Sequence, residues 1–192
     1  MSTEEAPDNP NPLILKMGPA FTTDTQTFNY HRTYVTHIDA ICHQSQHDML
    51  YNGIPRTARN ENGCVTGIEN LKNGIVTRGI LIDIPRLRGV PYLEPLTAIY
   101  PEEVEAWETK VGVKIGAGGA IFLRYGRLGR REKLGPWRAM GNAGFHPSMG
   151  PWTKARDVAL VAAENTAEAQ TGQPYLTDGC GYHSPHIWYV TI

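Results

Sequence analysis

Ile75-Val76-Thr77-Arg78-Gly79-Ile80-Leu81-Ile82-Asp83-Ile84 is the stretch on which the fold turns. β-Branched side chains crowd it, and these pack well on a pleated surface but are stiff in a helix. It reads as a strand that stops at Pro85. Downstream, Pro101 to Lys110 reads as a helix. Proline opens it where no N–H partner is needed, and Glu102, Glu103 and Glu105 suit the positive end of the helix dipole. Val104, Trp107 and Val111 share one face and are expected in the core, and Gly112 ends the helix. The usual Ser, Thr or Asp cap is missing, because Tyr100 precedes the proline. Ala120 to Tyr125 reads as a second core strand, Pro151 to Arg156 as a short helix and Asp157 to Ala163 as a third strand. Strands alternating with helices define an α/β class.

Upstream, Thr33-Tyr34-Val35-Thr36-His37-Ile38-Asp39 has strand composition. Phe21 to Tyr30 is polar and suits strand or loop. Asn52-Gly53, Asn62-Gly63 and Asn73-Gly74 mark turns in a long irregular excursion. Residues 1–20 are expected to form a mobile tail, leaving 21–192 as one domain. At the other end, Ile187-Trp188-Tyr189-Val190-Thr191-Ile192 is apolar. Either it is tied into a sheet, or it belongs to an element that continues.

Composition narrows the function. The 192 residues carry 18 Lys and Arg against 19 Asp and Glu, a net charge of −1. That balance argues against a dedicated nucleic-acid binder, which depends on neutralising phosphates. The chain has 41% hydrophobic residues, enough for a packed core. Yet no apolar run reaches the ~18 residues that suggest a membrane span. The first twelve residues have neither the basic nor the apolar region of a signal peptide. The expected setting is cytoplasmic, with a small-molecule substrate and no membrane or nucleic-acid partner. Cys42, Cys64 and Cys180 are widely spaced and form no Cys-x-x-Cys, so neither a zinc knuckle nor a redox dithiol is indicated.

Several motifs fail on inspection. Gly116-Ala117-Gly118-Gly119-Ala120-Ile121 precedes a strand and has Ile121 where a dinucleotide fingerprint needs glycine, so it reads as a β-turn. Ser148 lacks the glycine at 146 that a nucleophile elbow requires. Arg124, Arg127, Arg130, Arg131, Lys133 and Arg138 read as a solvated loop, with an anionic-substrate clamp as the rival. The informative segment is Thr36-His37-Ile38-Asp39-Ala40-Ile41-Cys42-His43. On a strand, His37 and Asp39 point to one face, and an imidazole beside a carboxylate is half of a first-row metal site. A turn after Asp39 would let His43 face the same point, as ligand or general base. Hydrogen-bonded histidines beside a strand remain the other reading, and spacing alone does not decide.

That octapeptide resembles the signature of the cyclase family of metal-dependent hydrolases, which includes kynurenine formamidase (arylformamidase) and isatin hydrolase. Further blocks extend the likeness: Met49 to Gly53, Arg78 to Arg86, Ala120 to Arg124, Gly144-Phe145-His146-Pro147 and Asp157 to Val161. The resemblance implies a single α/β domain around a curved mixed sheet flanked by helices, often a homodimer, with zinc or manganese. By position, it implies that His37 and Asp39 are metal ligands and His43 the catalytic acid/base. The family's first ligand falls at Thr33, with His31 as a substitute two residues earlier, and Val35 replaces the motif glycine. A later family histidine matches His186, or less well His183. The family glutamate about a dozen residues on would fall past Ile192, so the domain is expected to be incomplete at its C-terminus. The implied activity is hydrolysis of aryl formamides or related amides and lactams, such as N-formylkynurenine to formate and kynurenine in tryptophan breakdown. The rival is a relative that keeps the fold as a binding or structural protein.

Overall fold

The computed structural model describes residues 36–43, 45, 47–136, 141–165, 169 and 188–191; for 188–191 it describes the backbone. The elements run β1 (His37–Asp39), β2 (Gly79–Asp83), α1 (Ile84–Arg88), β3 (Ala98–Ile99), α2 (Pro101–Val111), β4 (Ala120–Arg124), α3 (Arg127–Leu134), β5 (Gly144–Phe145), α4 (Met149–Ala155), β6 (Leu160–Ala163) and β7 (Trp188–Thr191). Five strands form one sheet in the order β1-β7-β6-β4-β2. β2, β4, β6 and β7 are parallel, and β1 runs antiparallel to β7. The mixed α/β architecture is thus the one expected. β3 and β5 pair separately in a short parallel ribbon.

The sheet divides its two faces by the strand period of two. Ile80, Ile82, Ile121, Leu123 and Val161 share one face with Val104 and Trp107 of α2 and with Ile99 and Phe145 of the ribbon. Ala120, Leu160 and Ala162 form a smaller cluster with Ile38 and Phe122. Val104 and Trp107 are buried as expected, but Val111 is 40% exposed. It occupies the last residue of α2, where the chain leaves the core through Gly112 at φ 68°. At the other end of α2, Glu103 supplies part of the missing cap by accepting the Tyr100 N–H at 3.3 Å. Trp107 also donates its indole N–H to the Leu81 carbonyl at 2.8 Å. That bond ties α2 to the edge strand β2. Trp107→Phe keeps most of the apolar burial and removes the bond, so it should lower the unfolding free energy by about 1 kcal/mol. Denaturant midpoints of the two proteins check this.

Four boundaries differ from the sequence reading. The strand expected from Ile75 starts at Gly79, and Val76 is fully exposed. Its far end turns helical at Ile84, because the Asp83 carboxylate accepts the Arg86 N–H at 2.9 Å and Pro85 fits the first turn. Helix α4 starts at Met149, ahead of Pro151. The strand expected from Asp157 begins at Leu160, since Val158 N–H still caps α4 by bonding the Thr153 carbonyl at 3.1 Å.

From Arg127 to Leu134 the basic stretch is a helix rather than a loop; Arg124 ends β4, and Arg138 lies outside the described residues. Glu164, just past β6, accepts the N–H groups of Tyr125, Gly126 and Arg127 at 2.9, 2.6 and 3.0 Å and so fixes the start of α3. Gly126 takes φ 82°, and a Cβ there would meet the Pro91 carbonyl and Tyr92 at 2.8 Å. Arg124 and Arg130 are engaged with Asp83 and Glu94. These bonds weaken the reading of the stretch as an anion clamp. The turn at Gly116 is as expected, with Gly119 N–H bonding the Gly116 carbonyl at 3.1 Å and Gly118 at φ 70°.

The apolar end supplies a strand that is tied into the sheet, β7. It lies inside the sheet, paired with β1 on one side and β6 on the other. Among the described residues no helix is long and apolar enough to cross a membrane. The expected tail at 1–20 lies outside the described residues.

Candidate functional site

Among the described residues β1 is an edge strand paired with β7 alone, with His37 opposite Thr191 and Asp39 opposite Tyr189. The pleat puts the side chains of His37 and Asp39 on one face, and their Nε2 and Oδ1 atoms lie 3.6 Å apart. The His37 side chain is 11% exposed and that of Asp39 25%, so the pair is sheltered but reachable. A separation of 3.6 Å is too long for a good hydrogen bond. It is close to the gap of about 3.3 Å between two ligand atoms at opposite ends of a tetrahedral edge, given bonds near 2.0–2.1 Å. An imidazole nitrogen and a carboxylate oxygen are also the donor types that divalent first-row ions accept. The pair therefore fits two positions of such a site. Among the described residues, no group of three or more His, Cys, Asp or Glu is placed to hold a metal. His186, His183, His31 and Thr33 lie outside the described residues.

After Asp39 the chain folds into a 3-10 turn, Ile41–His43. The turn closes when the His43 N–H bonds the Ala40 carbonyl at 2.8 Å. Cys42 faces inward at 5% exposure, and His43 is exposed. Arg59 reaches over from the long excursion and donates Nη1 to the carbonyls of both Cys42 and His43, each at 2.7 Å. A guanidinium across two successive carbonyls fixes the end of the turn, and so the backbone from which the His43 imidazole projects. Neither Arg59 nor Cys64, which touches Cys42, was marked by any spacing rule. Both come from the irregular segment, where no period exists to read.

Another histidine stands apart on the β3–β5 ribbon. His146 stacks on Tyr100 with ring centroids 4.3 Å apart and has Ser148 Oγ 3.0 Å from its Nδ1. Burial pushes its pKa below the ordinary imidazole value, against an opposing pull from Glu102. Its block was part of the sequence likeness, but it sits beside the β3–β5 ribbon rather than on β1.

The site is thus a His-x-Asp donor pair on the β1 strand of a mixed α/β sheet. The chain belongs to the Cyclase family, whose model matches residues 6–168. A crystal structure described as a novel cyclase superposes with a TM-score of 0.67 at 26% identity, covering 82% of this chain and 55% of that one. An isatin hydrolase bound to the product analogue thioisatinate gives 0.54 at 15% identity, covering 82% and 57%. Isatin hydrolase A from Ralstonia solanacearum gives 0.54 at 18%, with the same coverages. At those identities the two isatin hydrolases speak for the fold alone. The chain spans little more than half the length of these structures. A comparison with curated proteins found no match.

Proposed function

We propose that this chain carries part of the active site of a metal-dependent hydrolase that opens the amide bond of an aryl formamide or a related lactam. The observation behind this reading is the His37–Asp39 donor pair, 3.6 Å apart, on the edge strand of a Cyclase-family fold. His186 is the further ligand we propose: it precedes Trp188 by two residues, and β7 pairs Tyr189 with Asp39. When bound, a divalent ion such as zinc or manganese supplies Lewis acidity, polarising a carbonyl and lowering the pKa of water. His43 accepts the proton that water loses as its oxygen attacks the carbonyl carbon. The same imidazole returns that proton to the nitrogen as the C–N bond breaks, leaving an amine and a carboxylic acid, which then loses its own proton to solvent at neutral pH. Arg59 holds the turn from which it acts.

Metal content is the direct test. Purified protein should hold roughly one divalent ion per chain, and His37→Ala should lower that content severalfold while the fold survives. Unchanged stoichiometry and affinity in the variant would remove His37 from the site. No metal in the parent protein would favour the rival reading, a family member kept as a binding or structural protein. Assays on N-formylkynurenine and on isatin, with added zinc or manganese, then separate formamide from lactam substrates.

A further inference from the structure

Cys42 and Cys64 lie far apart in sequence but meet beside the turn that carries His43. Their side chains come close enough for each to influence the ionisation of the other. The backbone enforces the approach. Cys42 N–H donates to the Thr66 carbonyl at 3.4 Å, and Cys64 Sγ lies 3.6 Å from Thr66 Oγ1. Both cysteines are unbridged, with Cys42 buried and Cys64 half-buried. No Cys-x-x-Cys spacing announces such a pair.

We propose that Cys42 and Cys64 form a reversible disulfide, a redox modification site that ties the His43 turn to the 64–66 loop. The two sulfurs are unequally poised for it. Burial, and then the neighbouring Cys64, push the Cys42 thiol up. Burial would also raise Cys64, but the Thr66 N–H and the Cys42 thiol outweigh it and hold Cys64 below the ordinary value. The more exposed sulfur is thus the better thiolate, and the buried one stays protonated beside it, the arrangement of an attacking and a resolving cysteine.

With a hydroperoxide as oxidant the steps balance. The Cys64 thiolate attacks one peroxide oxygen, the O–O bond breaks, and the departing hydroxide takes a proton to become water. Cys64 is left as the sulfenic acid. The Cys42 sulfur then attacks the Cys64 sulfur, the S–O bond breaks, and water leaves with the Cys42 proton. Two thiols lose two electrons and two protons, and hydrogen peroxide becomes two waters. A dithiol reductant reverses the bond by exchange. Closing a thiol contact to an S–S bond of about 2.05 Å draws Cys42 toward the 64–66 loop. Cys42 adjoins His43, so oxidation should also lower turnover; that consequence alone rests on the hydrolase reading.

The test needs no activity. The full chain is treated with hydrogen peroxide, its remaining thiols are alkylated, and it is digested with trypsin without reduction. Cleavage after Arg32, Arg56, Arg59 and Lys72 places Cys42 in peptide 33–56 and Cys64 in peptide 60–72. The expected result is one cross-linked species of these two peptides, with titratable thiols falling from three to one and recovering with dithiothreitol. In Cys42→Ser the cross-link should vanish and a sulfenic-acid probe should label Cys64. Linkage through Cys180, linkage between chains, or Cys64 still reduced after Cys180 has oxidised would overturn the proposal. Because mapping of the parent protein decides the matter, a poorly folding variant cannot obscure it.

Discussion

His43→Ala should lower turnover by about 10²–10⁴-fold and leave the metal content unchanged. The expected size follows from removing a general acid/base while retaining whatever the ligands do. The local backbone makes the variant clean. The turn is held by the His43 N–H on Ala40 and by Arg59 on two carbonyls, and alanine preserves all of these bonds. His43 is exposed, so its loss opens no core cavity. Metal analysis beside kcat separates the two roles open to this histidine. A drop in metal that parallels the drop in rate would make it a ligand, and the proton-transfer role would fall.

The same pair of measurements shows how far sequence reaches at this site. His37 and Asp39 were legible because a strand's period of two is strict. Two polar residues two positions apart on a strand must share a face, and the 3.6 Å separation is the outcome. Core strands were legible for a related reason, since apolar runs such as Ile80 to Ile82 and Ile121 to Leu123 suit a pleated, buried surface. What failed was governed by single side chains acting at a distance. Asp83 converts Ile84 from strand to helix, and Glu164 gathers three N–H groups to start α3 where charge alone suggested a loop. The Asp83 cap with Pro85 behind it is a local helix-start signal that the β-branched run overshadowed, whereas the Glu164 contact has no spacing signature. Glu164 and Tyr125 are brought together only by the parallel pairing of β4 and β6. The Arg59 clamp and the Cys42–Cys64 contact were hidden likewise, inside an excursion that builds its structure from short 3-10 turns and isolated bridges.

Arg156→Ala should destabilise the fold by about 3–5 kcal/mol at neutral pH, the cost of stranding a buried charge. The stranded group is Glu108 on α2, whose side chain has no exposed surface. Its Oε1 accepts the Ile115 N–H at 2.6 Å and Arg156 Nη1 at 2.8 Å, and its Oε2 meets Lys114 at 3.1 Å. Lys114 is 75% exposed and well solvated, so Arg156 is the partner that matters. Arg156 is further held by Glu105 and lies over the Trp152 ring at 4.0 Å. The reverse change, Glu108→Gln, should cost less. An amide oxygen can still take the Ile115 N–H, and Arg156 keeps Glu105. Acid should reveal the sign of the linkage. Burial alone would raise the Glu108 pKa, but the Ile115 N–H, Arg156 and Lys114 outweigh it and hold the carboxyl below its ordinary value. The resulting stability is therefore complete above the usual glutamate range near pH 4.3 and is lost as pH falls through the lower folded value. Without Arg156, one of the groups that hold the carboxyl ionised is gone, and it protonates more readily. The gap between parent and Arg156→Ala should accordingly narrow as the pH is taken from 7 to about 3.5, as read from urea midpoints at each pH. A gap that holds constant or widens in acid would show that Arg156 stabilises by packing on Trp152 rather than by its charge.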